Sequence, residues 1–220
     1  MRAQAIIFDF DGVLLESEYE LNRLTAELLT ELGHPTSFAE AIEHYTGLTG
    51  RHVTEIIERR IGRPLPGEFH ERMSEASRSA LADGIEPIVG AVEFVRALPV
   101  HVPRAIASSS STHWVRTHLD HLGLRDAFEP HIYSGSEHVS RGKPAPDLYL
   151  HAAGQLGVEI ERIVIIEDSK VGATGALVSG ARVIGLAAGS HCLDGHADML
   201  RFVGVTEIAQ SFDELASLLA

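Results

Sequence analysis

Five short apolar runs punctuate the chain, and each stops at polar or small residues. They are AIIFDFD (5–11), RAIASSS (104–110), HIYSG (131–135), RIVIIED (162–168) and ARVIGLAAG (181–189). Within them the apolar positions run on without alternating. That pattern marks strands buried on both faces, hence a parallel sheet. Between the runs, apolar residues recur at intervals of three and four, most clearly over 111–123 and 146–157, as in helices that bury one stripe. Strand and helix alternating in this way predict an α/β fold. Its core would be a Rossmann-like, doubly wound, mostly parallel sheet with helices on both faces, three layers deep.

Residues 17–83 break the alternation. Leu21, Leu24, Leu28 and Leu32 form a stripe at helical spacing closed by Gly33, a common helix stop. Three further helical patterns follow at 38–45, 49–61 and 67–82, with GRPLPG (62–67) as a break. The spacing predicts an all-helical cap domain, 17–83, inserted into a core made of 1–16 and 84–220. The crossings near Leu15–Ser17 and Asp83–Pro87 would act as a hinge.

Composition narrows the partners. A formal net charge of -13 over 220 residues argues against nucleic acid and against anionic membranes. Any anionic substrate must then be held by local positive charge. The single cysteine, Cys192, forbids an internal disulfide and suits a reducing compartment. No apolar run approaches the length of a membrane span, and Asp9 and Asp11 interrupt the first apolar stretch too early for a signal peptide. The expectation is a cytoplasmic monomer. His118 and His121 have metal-ligand spacing but lie in what reads as a surface helix. His191, Cys192 and His196, in GSHCLDGHAD (189–198), are read as a loop without chemistry.

In parallel α/β sheets, ligands bind at the carboxyl ends of the strands. The first run delivers Asp9 and Asp11 there, the second Ser108 and the serines after it, and the fourth Glu167 and Asp168. The loop after the third delivers Lys143 in SRGKPAPD. Each piece has an ordinary explanation: a solvated turn, a helix cap, an exposed loop, a carboxylate at a helix N-terminus. No single structural reason covers all four. Carboxylates within ~4 Å of one another repel by about 4 kcal/mol per pair at a surface-like dielectric, so a cation must sit among them. Hard oxygen donors in an incomplete cage point to Mg²⁺, which keeps waters and shares its shell with a phosphate.

This constellation resembles the haloacid dehalogenase superfamily. DFDGVLLES is similar to the family's first motif, IASSS to the second, RGKPAPD to the third and IIEDSKVGA to the fourth, in the family's order. The helical insert resembles the small cap of one subclass, and EPIVGAVEFVRAL (86–98) the helix that returns the chain to the core. The resemblance implies a phosphatase or mutase acting on a small phosphorylated metabolite. Asp9 would be the nucleophile, forming an aspartyl phosphate. Asp11 would be the general acid and base, and Lys143 a charge neutraliser. Ser108 and Ser109 would bind the phosphoryl group, with Gly12 allowing the sharp turn beside the substrate. Asp9, Asp168 and the Asp11 carbonyl would hold Mg²⁺, with Glu167 either a ligand or an acceptor behind it.

Asp11 argues against the dehalogenases and phosphonate hydrolases of the superfamily, which lack an acid there. β-Phosphoglucomutase-like mutases carry a cap histidine where this chain has Leu21. They also carry an arginine that binds a second phosphate; Arg51 lies one residue beyond the matching position. Leu21 favours water as the acceptor, hence a phosphatase similar to the bacterial enzymes for sugar phosphates or phosphogluconate. A mutase, and a non-enzymatic binding protein on the same fold, are the alternatives. Substrate choice would fall to cap residues such as His34, Tyr45, Arg51 and His52.

Overall fold

The computed structural model describes residues 3–48 and 50–220. Met1 and Arg2, at the start of the expected core, and Thr49, at the start of an expected helix, lie outside them. The apolar runs form strands β1 (Ala5–Phe8), β2 (Arg104–Ser108), β3 (Ile132–Ser134), β4 (Ile163–Glu167) and β5 (Arg182–Leu186). A sixth, β6 (Glu207–Ala209), joins them. Its three residues, Glu-Ile-Ala, are too few to show a period. The pairings between these six strands are all parallel, in the order β3-β2-β1-β4-β5-β6.

Side chains leave a strand on alternate faces, and here both faces are apolar. Ile6, Phe8, Ile106, Val164, Ile166 and Ile184 pack on one side. They meet α5 (Ala91–Ala97), α6 (Thr112–Leu122), the short α7 (Arg125–Phe128) and α11 (Phe212–Leu219). Ala5, Ile7, Ala105, Ala107, Ile163, Ile165 and Val183 face the other way, against α8 (Asp147–Leu156), α9 (Lys170–Ser179) and α10 (His196–Phe202). The helix expected over 86–98 occupies only Ala91–Ala97. Pro87 instead bridges to Leu15, and Gly90 takes a left-handed φ of 86° just before the first helical residue.

Helices α1 (Ser17–Glu31), α2 (Phe38–Tyr45), α3 (Gly50–Ile61) and α4 (Gly67–Asp83) gather around a cluster of their own: Ala26, Leu28, Leu29, Ala41, Tyr45, Ile57, Leu65 and Phe69. Ser37 and Glu40 form a reciprocal capping box at the start of α2, which satisfies two otherwise orphaned amides. The two chain crossings run side by side. Glu16 N–H donates to the Glu86 carbonyl (3.0 Å) and Ile88 N–H to the Leu14 carbonyl (3.1 Å). The chain therefore enters and leaves the helical unit through one narrow, hydrogen-bonded crossing.

Candidate active site

The sheet register gathers the carboxylates. β1 lies between β2 and β4, with Phe8 paired to both Ile106 and Ile166. One residue later Asp9 N–H donates to the Ile166 carbonyl (2.9 Å), so Asp9 leaves the sheet beside Glu167, the last residue of β4. Lys143, from the loop between β3 and α8, reaches into the same place. Its Nζ donates to Asp9 Oδ1 (2.7 Å) and Glu167 Oε1 (2.6 Å). It also lies 5.1 Å from the centroid of the Tyr149 ring. All three charged groups are buried. Burial works to lower the Lys143 pKa, but the charges of Asp9 and Glu167 outweigh it and hold the ammonium above its ordinary range. Burial, then Glu167, drive Asp9 upward against the pull of Lys143. One lysine does not balance this group of carboxylates.

Glu167 is fully engaged. Oε1 accepts from Lys143 and from the Tyr149 hydroxyl (2.6 Å), and Oε2 from the Ser169 amide and hydroxyl (both 3.1 Å). Gly172 in α9 makes room for it: a Cβ there would lie 1.8 Å from Oε1. Asp168 is held differently. Its Oδ2 is 2.8 Å from His191 Nε2, and His196 Nε2 is 2.8 Å from its backbone carbonyl. Its Oδ1 is buried with no hydrogen-bond partner among the described residues. Such an orphan is costly and calls for a ligand from outside the protein. Oxygens of Asp9, Glu167 and Asp168 lie within 4.8 Å of one another. These hard donors, one with a free buried oxygen, fit Mg²⁺.

Asp11 sits apart from this group, at the wall of the cavity. Its Oδ1 accepts from Ser17 Oγ (2.6 Å) and Trp114 Nε1 (3.0 Å), its Oδ2 from Ser110 Oγ (2.7 Å) and Ser108 Oγ (3.3 Å). Ser108, the last residue of β2, also accepts from the Ser110 amide (2.9 Å). Ser111 caps α6, so the serine run is both a helix cap and a cavity wall. Gly12, expected beside the substrate, packs against Asp168 and His191 at the carboxylate group. With φ at +78°, a Cβ there would fall 2.2 Å from Asp168 Oδ2 and 3.0 Å from His191 Cε1. Glycine is required both by the backbone angle and by the close approach of Asp168.

Asp9, Asp11 and Ser108 to Ser111 open onto a cavity of about 700 Å³, roofed by α1, α3 and α4. Leu21, Tyr45 and Met73 line its helical side. Arg51 lies at its mouth, with a side chain 87% exposed and paired with Glu55 on its own helix (3.1 Å). His34 and His52 are not on the cavity wall.

Sequence reasoning missed several participants. Glu18, in the first turn of α1, accepts from the Gly47 amide (3.0 Å) and Asn22 Nδ2 (2.9 Å). Burial, then the charge of Asp168, push its pKa up to about 7. Tyr149 and Trp114 each grip a site carboxylate, and the loop read as inert supplies His191 and His196 to Asp168. Nor is His118 on a surface: it is fully buried, its ring 4.2 Å from that of Trp114.

Comparisons with known proteins show the family. The curated fructose-1-phosphate phosphatase of Escherichia coli (strain K12) is 31% identical over 179 residues, covering 81% of this chain and 94% of that protein. A 6-phosphogluconate phosphatase of the same organism is 26% identical, covering 86% and 85%. The crystal structure of a conserved haloacid dehalogenase-like protein from Agrobacterium tumefaciens superposes with a TM-score of 0.87 at 35% identity, covering 99% of this chain and 97% of that one. The sequence model for haloacid dehalogenase-like hydrolases matches residues 6–186, a span that takes in Asp9, Asp11, Ser108, Lys143 and Asp168. From β1 to β5, then, this chain belongs to the haloacid dehalogenase-like hydrolase family.

Proposed function

We propose that the protein is a Mg²⁺-dependent phosphatase, a phosphoric monoester hydrolase for small phosphorylated metabolites, with sugar phosphates or phosphogluconate as the substrate class. The observation that carries this reading is the placement of Asp9. Its carboxylate is fixed by Lys143 at a strand end and faces a cavity large enough for a sugar phosphate, with a second carboxylate, Asp11, on the same wall. The curated relatives that act on fructose 1-phosphate and 6-phosphogluconate support the substrate class.

Asp9 attacks phosphorus, and the phosphoryl group passes to its carboxylate. Asp11 protonates the departing alkoxide, then takes the proton of the incoming water. Lys143 offsets charge on Asp9 and on the phosphoryl oxygens. Ser108 and Ser109, where the chain enters α6, offer hydroxyl and amide donors to those oxygens. Asp9, the free Oδ1 of Asp168 and the Asp11 carbonyl would hold the metal, with Glu167 fixing Lys143 from behind. Bound Mg²⁺ would supply the Lewis acidity and counter-charge that phosphoryl transfer needs. The helices of residues 17–83 act as the cap that closes over the substrate. Leu21, apolar and on the cavity wall, offers no proton relay to a second sugar hydroxyl, which favours water as the acceptor.

The test is phosphate release from a panel of sugar phosphates and phosphogluconate, with Mg²⁺ and with EDTA. Turnover is expected only with the metal and not in Asp9→Asn. Turnover retained by Asp9→Asn would rule out the covalent route. Conversion of a sugar 1-phosphate to its 6-phosphate when primed by a bisphosphate, without net phosphate release, would mark a mutase.

A further inference from the structure

The loop between β5 and α10, with the first residue of α10, brings His191, Cys192 and His196 together beside the carboxylate group. One ligand atom from each lies within 4.8 Å of the others. His191 is fully buried, His196 nearly so, and Cys192 half-buried. Two imidazoles and a thiol form a donor set unlike the oxygen site next to it. Mg²⁺ avoids such ligands; Zn²⁺ and its neighbours prefer them.

The spacing also suits that chemistry. With metal–nitrogen and metal–sulfur bonds of about 2.1 and 2.3 Å at a tetrahedral angle, nitrogen and sulfur lie about 3.6 Å apart. His191 Nε2 and Cys192 Sγ are 3.5 Å apart. That same nitrogen is the one that meets Asp168 Oδ2 at 2.8 Å. It cannot serve both partners: on Asp168 it carries a proton, whereas a metal needs its lone pair.

We propose that His191, Cys192 and His196 form a second cation site, for Zn²⁺ or a similar borderline-soft divalent ion, and that filling it withdraws His191 from Asp168 and weakens the Mg²⁺ site. Binding releases the thiol proton of Cys192 to solvent, and the His191 imidazole turns its Nε2 lone pair to the metal as a neutral ring with its proton on Nδ1; a charged ring gives up its second proton to solvent as well. Asp168 then loses the donor that orients it, and the partners that orient a ligating carboxylate set much of a site's metal affinity. The cation site stands apart from the phosphatase reading. Only its effect on the oxygen site rests on the Mg²⁺ assignment made there.

Two measurements on the intact, metal-free protein test this, neither of which needs turnover. In the first, Co²⁺ is titrated into wild type, Cys192→Ser and His196→Asn while the near-ultraviolet thiolate-to-cobalt absorption is followed. Wild type should develop the band at one equivalent. Cys192→Ser should lack it, and His196→Asn should need at least about tenfold more Co²⁺. In the second, Mg²⁺ affinity is measured by calorimetry with and without one prior equivalent of Zn²⁺. Zinc should weaken Mg²⁺ binding by about tenfold or more in wild type and leave Cys192→Ser unaffected. No cobalt–thiolate band in a folded wild type would overturn the site. Equal zinc sensitivity in wild type and Cys192→Ser would overturn the coupling, because zinc would then be acting at Asp9 and Asp168 themselves. A positive cobalt result beside a protein that hydrolyses no phosphate ester would sink the phosphatase reading and leave the second site standing.

Discussion

On the sheet side of the cavity, Asp9, Glu167, Asp168 and Lys143 are each more than nine-tenths buried. Lys143 binds both Asp9 and Glu167, at 2.7 and 2.6 Å. On the helical side, the charged groups other than Glu18 lie open to water. Arg51 is 87% exposed and pairs with a neighbour on its own helix; Arg72 reaches Glu31 across two helices, both half-open to solvent. Under the proposed function, the difference separates two tasks. Groups that react must be held to a fraction of an ångström in a dry setting, where each charge counts most. Groups that choose a substrate need only shape the cavity, and they stand on helices that the sheet does not constrain. Chemistry should therefore be lost by single changes at the strand ends, and substrate preference altered by changes in α1, α3 and α4.

The sharpest contrast is between two cations. Lys143→Met should leave Glu167 and Asp9 buried without their counter-charge, at a cost of about 3–5 kcal/mol, and should abolish turnover. Arg51→Ala should change stability by less than about 0.5 kcal/mol, with its effect confined to KM. Urea denaturation and steady-state kinetics on both variants make the comparison. Equal stability losses would remove the distinction between the two walls.

The next contrast lies within the sheet wall, between the proposed nucleophile, Asp9, and the proposed acid, Asp11. Trp114 holds Asp11 through its indole N–H, and His118 packs beneath that ring. We expect Trp114→Phe to lower kcat by about tenfold, near the worth of one hydrogen bond to a charged group, for sugar phosphates whose alkoxide needs a proton. For p-nitrophenyl phosphate, whose leaving group needs none, kcat should hardly change. Equal losses on both would make Trp114 a general structural support and not a positioning residue for Asp11.

How legible this was follows from distance along the chain. Asp9, Ser108 and Asp168 are strand ends, and a strand end is a local property: an apolar run stops and a polar residue follows. The parallel sheet then brings those ends together with no further information. Trp114 and Asp11 are 103 residues apart, His191 and Asp168 are 23 apart, and no periodicity announces either meeting. Gly12 was legible only in part. Its need for a positive φ was readable, but the side of the turn that Asp168 would crowd was not. β6 escaped because three residues cannot display a pattern.

The smallest expected effect tests the seam where the two walls meet. Glu18 stands on the first turn of α1 yet feels Asp168, a sheet residue, and its pKa is raised to about 7. In the unfolded chain it would titrate near the ordinary glutamate value of 4.5. Between those limits the folded state binds the proton more tightly, so stability falls as pH rises from about 4.5 to about 7 and is level beyond. Glu18→Gln keeps an acceptor for the Gly47 amide and has no proton to lose. Its melting temperature in EDTA should match wild type below pH 4.5, exceed it increasingly through the window, and hold a constant lead above pH 7. Saturating Mg²⁺ next to Asp168 should shrink that lead, because the added positive charge offsets the repulsion Glu18 feels. Parallel curves in EDTA would mean that Glu18 does not sense Asp168, and that the cap and the carboxylate group are electrostatically separate. A lead that Mg²⁺ leaves untouched would mean that burial alone sets the Glu18 pKa, with the strand-end carboxylates contributing nothing across the seam.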